Sequence, residues 1–124
     1  MQKKYRLIKK TDYNMVYAHG KTVSNRQFVV YFKRNEETEH FRLGLSVSKK
    51  IGNAVVRNRM RRLVKEIVRR HKDEIVPHVD MIFIVRIAAV SMDYHQLEKS
   101  VLHVLKKGNL LAENGSAKTG KEQL

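Results

Sequence analysis

The chain contains no cysteine and no tryptophan among its 124 residues, and its longest uninterrupted apolar run, Met81–Val85, is short. Without a thiol it can form no disulfide framework, no thiolate zinc site and no cysteine nucleophile. A run of this length also falls far below the ~20 apolar residues that a membrane-spanning helix needs. The lack of cysteine is compatible with a reducing compartment, and the lack of a long apolar run predicts no membrane-spanning helix. We therefore expect a cytoplasmic protein without a membrane partner.

Acidic residues are scarce as well. The chain has 12 Asp and Glu against 26 Lys and Arg, which gives a formal net charge of +14. Because 42% of the residues are hydrophobic, the chain can bury a core, and the charge belongs to one folded domain rather than to a disordered polymer. A sequence pI near 10.3 predicts attraction to polyanions, with nucleic acid first and an anionic membrane second.

The first half of the chain predicts a basic arm, one short helix and two strands. Residues 1–10 are rich in lysine and are expected to form a mobile arm, followed by a helix that Thr11 caps and that ends at His19. A strand is predicted at 27–33. In 41–48 apolar residues alternate with polar or small ones, so one face of this second strand is apolar and the other is polar or small.

The second half predicts a long basic helix, a buried strand and a final helix. Asn53 can cap a helix over 54–72, and the apolar run at 81–85 suits a strand that is covered on both faces. This order predicts a parallel strand pair joined by a crossover helix. Ser91 is expected to cap the last helix, which ends near residue 107. The domain is therefore predicted to span 1–108, with a loose, flexible tail at 109–124.

The long helix concentrates positive charge. Between Lys49 and Lys72 there are ten basic residues against one acid, Glu66. Four apolar residues at helical spacing are expected to face the core: Val56, Met60, Leu63 and Ile67. Four basic residues spaced four apart are predicted to lie on the opposite face: Arg57, Arg61, Lys65 and Arg69. Asn58 and Arg62 are expected to lie beside them. A face of one sign repels itself, so it favours a polyanion-binding role over a merely solvated surface. The arginines offer forked donors that suit phosphate oxygens.

Aromatic and small residues form a second pattern. If the first helix borders the polar face of the sheet, six residues could line a shallow groove, which we call the aromatic cleft: Tyr13, Tyr17, Val29, Tyr31, Gly44 and Ser46. Flat rings in such a groove would stack on unpaired bases without reading their sequence. The alternative is that Tyr13 and Tyr17 only pack the first helix onto the core, and the sequence leaves this open.

Catalytic machinery is hard to find in the sequence. The six histidines show no metal-ligand spacing, and no glycine-rich phosphate loop is present. We therefore predict no catalytic residue and no protein metal site. A nuclease that cleaves nucleic acid without a partner is poorly supported, because the chain supplies no credible acid and base. Membrane binding by the basic helix is also disfavoured, since its apolar face lacks Trp and Phe.

The segment FRLGLSVSKKIGNAVVRNRMRRLVKE at 41–66 closely resembles the signature of the bacterial ribonuclease P protein subunit. The match centres on KKIGNAV at 49–55 and on the triplet Arg57-Asn58-Arg59, and it extends to VSNRQFVVYF at 23–32. In all, the resemblance covers roughly residues 5 to 107. Tyr13 and Tyr17 stand where many members carry Phe, and Lys65 stands where Arg is common.

The resemblance implies a single α+β domain, an α/β sandwich similar to a ribosomal-protein domain. Its four-stranded sheet would be mixed but mainly antiparallel, with three helices. The basic helix would make a left-handed crossover between parallel strands, although ~98% of such crossovers are right-handed.

The resemblance also implies a function: a protein subunit that binds the catalytic RNA of ribonuclease P and the 5′ leader of precursor tRNA. The RNA, with bound Mg²⁺, would cleave the phosphodiester, in a complex of one RNA and one protein monomer. The residues expected to meet the RNA subunit are Lys49, Lys50, Asn53, Arg57, Asn58, Arg59, Arg61, Arg62, Lys65 and Arg69. The leader would lie in the aromatic cleft. The alternative is a ribosomal or RNA-chaperone protein that uses the same helix without a leader cleft.

Overall fold

The computed structural model describes residues 1–112, in which a four-stranded sheet separates one helix from two others. The helices and strands are α1 (Lys10–His19), β1 (Lys21–Ser24), β2 (Phe28–Arg34), β3 (Arg42–Ser46), α2 (Ala54–Arg70), β4 (Val79–Val85) and α3 (Tyr94–Lys107). None of the helices in this part of the chain is long and apolar enough to cross a membrane.

The sheet has the strand order β1-β2-β4-β3. The β1–β2 and β2–β4 pairs are antiparallel and the β3–β4 pair is parallel. This confirms the predicted α+β domain with three helices and a mixed, mainly antiparallel sheet, and it confirms that α2 joins two parallel strands. The hand of that crossover stays a prediction. The sequence pattern did not locate β1, because only Val23 of its four residues is even partly buried.

The two faces of the sheet pack against different layers. Phe28 and Val30 point to the side of α2 and α3, where they share one large core with Phe83 and are fully buried. On the other face a smaller cluster forms beneath α1, with Ile82 and Val16 at its centre. Strand β4 is buried on both faces along most of its length, as its continuous apolar run predicts.

Helix α2 begins as predicted. The Oδ1 atom of Asn53 accepts a hydrogen bond from the backbone N–H of Val56 at 3.0 Å. The predicted core stripe needs correction, because Val56 and Leu63 are only partly buried. The fully buried residues of α2 are Met60, Val64, Ile67 and Val68. The buried face is shifted around the helix toward Val64 and Val68, which belong to the core that α2 shares with the sheet and α3.

The predicted caps of the other two helices are wrong. Asp93, not Ser91, caps α3: its Oδ1 accepts from the N–H of Gln96 at 2.9 Å, and the Gln96 side chain accepts from the N–H of Asp93 at 3.0 Å. This reciprocal pair satisfies two helix-terminal N–H groups, which Ser91 could not do alone. Helix α1 begins one residue before Thr11, and no side chain caps it.

The amino-terminal segment is packed, which corrects the prediction of a mobile arm over 1–10. The backbone N–H of Leu7 donates to the carbonyl of Leu43 at 2.9 Å, and Leu7 is buried. The ring of Tyr5 lies 4.9 Å from that of Phe41. Apolar residues among the lysines thus attach this segment to the outer edge of β3, where it covers part of an otherwise unpaired strand.

The carboxyl-terminal residues of the described chain also pack onto the domain. Leu110 is buried, and its carbonyl accepts from the N–H of Val76 at 2.9 Å. Leu111 forms a bridge with Ile75. The packed fold therefore continues to 112, four residues beyond the predicted end of the domain. The rest of the predicted tail, 113–124, lies outside the described residues.

Candidate nucleic-acid interface

The basic residues of α2 do not share one face as the sequence pattern suggested. An α-helix has 3.6 residues per turn, so a row of residues four apart advances about 40° at each step. The row accordingly starts at Arg57, which is partly buried with its Nε atom in the interior, and ends at the exposed Arg69. Arg62 and Asn58 are exposed beside it. The solvent side of α2 is thus still basic, but Arg57 lies at its inner margin.

Internal carboxylates neutralise only the carboxyl-terminal end of this helix. Glu66 accepts two hydrogen bonds from the guanidinium of Arg69, at 2.7 and 3.0 Å, and lies 3.4 Å from Arg70 Nε. The Arg69 hydrogen bonds lower the pKa of Glu66, so this acid remains charged. Among residues 1–112, no carboxylate lies within 4.0 Å of the charged groups of four others: Arg57, Arg61, Arg62 and Lys65.

These four residues and Asn58, which accepts from Arg61 Nη1 at 2.8 Å, are called the α2 surface below. A groove of about 670 Å³ runs along this side of the helix. Asn58, Arg61, Arg62 and Lys65 line it together with the Glu66–Arg69 pair and Tyr94 from α3, so cations outnumber the one acid. Positive charge at a groove is the arrangement that draws and holds an anionic chain.

Three predicted contact residues also have structural roles. Arg59 points away from the α2 surface and donates to the carbonyl of Met92 at 3.2 Å, so it holds the turn before α3. Asn53 is engaged as the helix cap, and Arg69 is paired with Glu66. Lys49 and Lys50 are exposed in a short 3₁₀ turn that precedes α2. Whether any of these residues contacts RNA stays a prediction.

The sheet residues of the aromatic cleft are brought together in two adjacent rows. One row crosses β2, β4 and β3 at Tyr31, Ile82 and Gly44, and the next crosses at Val29, Ile84 and Ser46. The residues of both rows are on the α1 side of the sheet, because residues directly paired across strands project to the same face. Helix α1 covers Ile82 completely, whereas Val29, Ile84 and Ser46 are only partly buried.

The two tyrosines of α1 differ in their surroundings. The Tyr13 ring lies directly on Gly44: a Cβ atom at that glycine would be 2.7 Å from the Tyr13 hydroxyl. Tyr13 therefore packs α1 on the sheet. Tyr17 is 41% exposed and meets Tyr31 edge to face, with ring centroids 5.0 Å apart. Burial of part of the ring raises the pKa of Tyr17, so its hydroxyl stays protonated at neutral pH. Of the two readings, packing describes Tyr13, and Tyr17 offers an accessible ring.

Sequence reasoning missed Ile84 as part of this cleft. Its apolar neighbours suggested a strand that is covered on both faces, but α1 does not extend over this position, and Ile84 is partly exposed between Val29 and Ser46. The signal that could have located it is its spacing of two from Ile82, which places both on one face. Ile84 gives the open end of the cleft an apolar floor.

A buried ion pair that the sequence did not reveal fixes α1 over the sheet. Asp80 is 3% exposed and receives two hydrogen bonds from the guanidinium of Arg42, both at 2.8 Å. The same guanidinium reaches Asp12 of α1 at 3.4 Å. The Asp80 hydrogen bonds raise the pKa of Arg42 further above its ordinary value, so the charge is permanent. This pair holds α1 to the sheet next to the cleft.

A metal centre is not seen in the described part of the chain: among residues 1–112 no three or more His, Asp or Glu side chains lie together in a way that could hold a metal ion. The α2 surface and the aromatic cleft are the two predicted contact sites for a partner. The α2 surface presents positive charge, and the cleft presents the Tyr17 ring and an apolar floor.

Comparisons with known proteins show the family and the fold of the chain. The family model described as "Ribonuclease P" matches residues 1–109. A ribonuclease P protein component from Listeria welshimeri is 49% identical over 113 residues, which covers 91% of this chain and 95% of the relative. The RNase P protein of Staphylococcus aureus has a solved structure with a TM-score of 0.80 and 46% identity, covering 86% of this chain and 96% of that one.

A more distant relative shares the same fold. The RNase P protein from Thermotoga maritima is 33% identical, with a TM-score of 0.76, and the match covers 82% of this chain and 96% of that one. The family model spans most of the chain, and the curated relatives match it along nearly their full length. By fold, by sequence and by the segment that forms the basic helix, this chain belongs to the bacterial ribonuclease P protein family.

Proposed function

We propose that this chain is the protein subunit of a ribonuclease P ribonucleoprotein, in which it binds the RNA subunit through α2 and the 5′ leader of precursor tRNA through the aromatic cleft. The observation that carries the proposal is the α2 surface, where four basic side chains have no carboxylate partner among residues 1–112. Family membership supports RNA as the polyanion. The process is removal of the leader from precursor tRNA.

The α2 surface suits the phosphodiester backbone of a folded RNA. Arg61 and Arg62 present planar donor groups, and the Arg61 fork is already oriented by Asn58. Such groups bind phosphate oxygens in pairs, while Lys65 adds a point charge. Contacts of this kind fix the position of the protein on RNA without reading its bases.

The aromatic cleft suits a single strand. Tyr17 offers a ring at the rim, and Val29 and Ile84 form an apolar floor on which unpaired bases can rest. Stacking on such a surface depends little on base identity, so the cleft would accept leaders of different sequence. The Ser46 and Tyr17 hydroxyls can donate to sugar or phosphate oxygens at its edge.

We assign the cleavage step and its Mg²⁺ ions to the RNA subunit. In this proposal the protein contributes positive charge near the bound phosphates and an additional contact to the substrate, and it holds no metal by itself. One protein monomer would bind one RNA subunit.

The test of the α2 assignment compares two double variants that remove the same charge. The double variant Arg61→Ala with Arg62→Ala should weaken binding of the RNA subunit and reduce the slope of log affinity against log salt by ~0.7 to 0.9 per lost phosphate contact. The control is Lys21→Ala with Arg34→Ala, two exposed residues at the far end of the β1–β2 hairpin. Equal slopes for the two double variants would exclude the α2 surface as the RNA contact.

The alternative of a ribosomal or RNA-chaperone protein predicts a different partner. Sequencing the RNA that crosslinks to the native protein should recover the RNA subunit of ribonuclease P. Recovery of ribosomal RNA alone would favour the alternative.

A further inference from the structure

A second basic surface lies on the outer side of α3, on the same layer as α2 but away from it. The turn at 24–27, Arg86 just after β4 and the outer side of α3 meet there, and no Asp or Glu occurs in 13–35, 81–92 or 99–112. Lys107 Nζ donates to the carbonyl of Ser24 at 2.7 Å, and Arg86 Nη1 donates to the carbonyl of Asn25 at 3.3 Å. The exposed basic side chains of this surface are Arg26, Arg86, Lys99 and Lys106, which we call the α3 surface, and His103 is exposed on the same helix.

The surface is built around a rigid turn. Asn25 Oδ1 accepts from the backbone N–H groups of Gln27 and Phe28, at 3.0 and 2.9 Å. Its Nδ2 donates to the backbone carbonyl of Ser100 at 3.0 Å, and the Ser100 hydroxyl donates to Gln27 Oε1 at 2.8 Å. Ser100 is one of only two polar residues buried in the described chain. This network fixes the turn that carries Arg26 against the helix that carries Lys99.

Paired charges separate the α3 surface from the α2 surface. His71, at the end of α2, lies 2.8 Å from Glu98 of α3 and 2.8 Å from Glu74. Glu66 pairs with Arg69 and Arg70 within α2 itself. Glu98 is thus paired toward α2 and Glu66 along α2, and the outer side of α3 keeps its positive charge. It forms a distinct patch rather than an extension of the α2 surface.

Helix-dipole compensation explains only part of this charge. Lys106 lies in the last turn of α3, where cations stabilise the helix. Lys99 is in the middle of the helix, and Arg26 and Arg86 lie on loops, so none of these three gains from that effect. Among residues 1–112, no carboxylate lies within 4.0 Å of these side chains, and a rigid display of such cations fits phosphate groups along a polyanion.

We propose that the α3 surface binds a second stretch of RNA phosphodiester backbone while the α2 surface holds the RNA subunit. The inference rests on the proposed function and extends it: the protein would contact RNA on two separate patches of one helical layer. The second stretch belongs to the RNA subunit, because α3 packs beside α2 on the side of the sheet opposite the aromatic cleft that is assigned to the leader.

The experiment measures salt dependence in the full-length protein with Lys99→Ala and Lys106→Ala combined. One arm measures binding of the RNA subunit, and the other measures binding of precursor tRNA to the assembled holoenzyme. We expect the slope of log affinity against log salt to fall by ~0.7 to 0.9 per lost contact in the RNA-subunit arm. A fall confined to the precursor-tRNA arm would contradict the proposal. The control is again Lys21→Ala with Arg34→Ala, which removes the same net charge.

A slope that matches this control in the RNA-subunit arm would overturn the inference, since the effect would then reflect net charge alone. The proposed function is judged separately by Arg61→Ala with Arg62→Ala, so failure of one proposal leaves the other distinguishable. Thermal unfolding of each variant verifies that these exposed substitutions leave the fold intact.

A second readout uses the absence of native cysteine. The variant Lys99→Cys, labelled with a photocrosslinker in the holoenzyme, should crosslink to RNA, and sequencing should identify which RNA it is. Lys21→Cys is the matched position and should crosslink weakly. Equal yields from the two positions would contradict the proposal.

Discussion

The two sides of the sheet are specified in different ways. On the α2 side, positive charge and a regular apolar spacing are visible in the sequence, and the fold keeps both on α2 but shifts the buried face toward Val64 and Val68 and turns Arg57 inward. On the α1 side, the cleft depends on the Tyr13 ring packed on Gly44 and on the ion pair between Arg42 and Asp80. It also depends on the partly exposed Ile84, which the apolar run of β4 predicts to be covered. Charge recruits a polyanion over a distance, whereas shape decides what can lie in a groove.

The largest effect is expected from breaking the ion pair of the α1 side. Asp80→Ala leaves the Arg42 guanidinium without its buried partner and should lower the free energy of unfolding by about 3 to 5 kcal/mol. Chemical denaturation measures this loss. The double variant Asp80→Leu with Arg42→Met should recover most of the stability, because neither charge remains buried. A loss as large in the double variant would show that the pair itself is not the cause.

A substitution at Gly44 tests whether shape defines the cleft. Gly44→Ala forces the Tyr13 ring to move, since the new Cβ would lie 2.7 Å from its hydroxyl and 2.8 Å from two ring carbons. We expect a loss of about 1 to 3 kcal/mol in unfolding free energy. Combining it with Tyr13→Ala should remove the clash, so the two effects should not add. Additive losses in this double-mutant cycle would mean that the ring and the glycine are not coupled.

On the α2 side, a pH titration tests the joint between α2 and α3. Burial lowers the pKa of His71, but the hydrogen bonds and charges of Glu98 and Glu74 outweigh this and raise it above its ordinary value of 6.5. The stabilising contribution is therefore complete below about pH 6.5 and is lost as the pH rises through the raised value. We expect a decrease on the order of 1 kcal/mol. The variant His71→Gln should lack this pH dependence, and an unchanged profile would refute the assignment.

The smallest effect is expected from charge removal on the α2 surface itself. Arg61→Ala relieves like-charge repulsion with Arg57 and with Lys65, each four residues away. Every relieved pair should raise the free energy of unfolding by about 0.2 to 0.5 kcal/mol, although RNA binding falls. Thermal unfolding without RNA measures this gain. A marked destabilisation would instead show that Arg61 has a structural role.

Local signals in the sequence predicted much of the fold. The Asn53 cap, the helix that follows it and the doubly covered strand β4 all depend on residues close together in the chain, so a spacing pattern suffices. Resemblance to a known family added the fourth strand to the sheet, and the sequence pattern itself did not show where β1 lies.

What the sequence could not show depends on distant pairing. Arg42 and Asp80 are 38 positions apart, and Asn25 and Ser100 are 75 apart, so no local pattern links them. The predicted mobile arm at the amino terminus is wrong because lysines dominate its composition. Its attachment depends on Tyr5 and Leu7, which pack against residues far along the chain near β3. For α2, the spacing of four predicts a single basic face, but the row turns about 40° around the helix at each step.

The most direct test of the account measures the affinity of the reconstituted holoenzyme for precursor tRNA and for mature tRNA. With the native protein, the precursor should bind more tightly than the mature tRNA. Tyr17→Ala should reduce that preference while leaving assembly with the RNA subunit intact, and Arg61→Ala with Arg62→Ala should weaken assembly while leaving the preference unchanged once the complex is saturated. Two results would contradict the proposal that the α2 surface binds the RNA subunit and the aromatic cleft binds the leader. One is an intact preference in Tyr17→Ala, and the other is a preference abolished by the arginine variant alone.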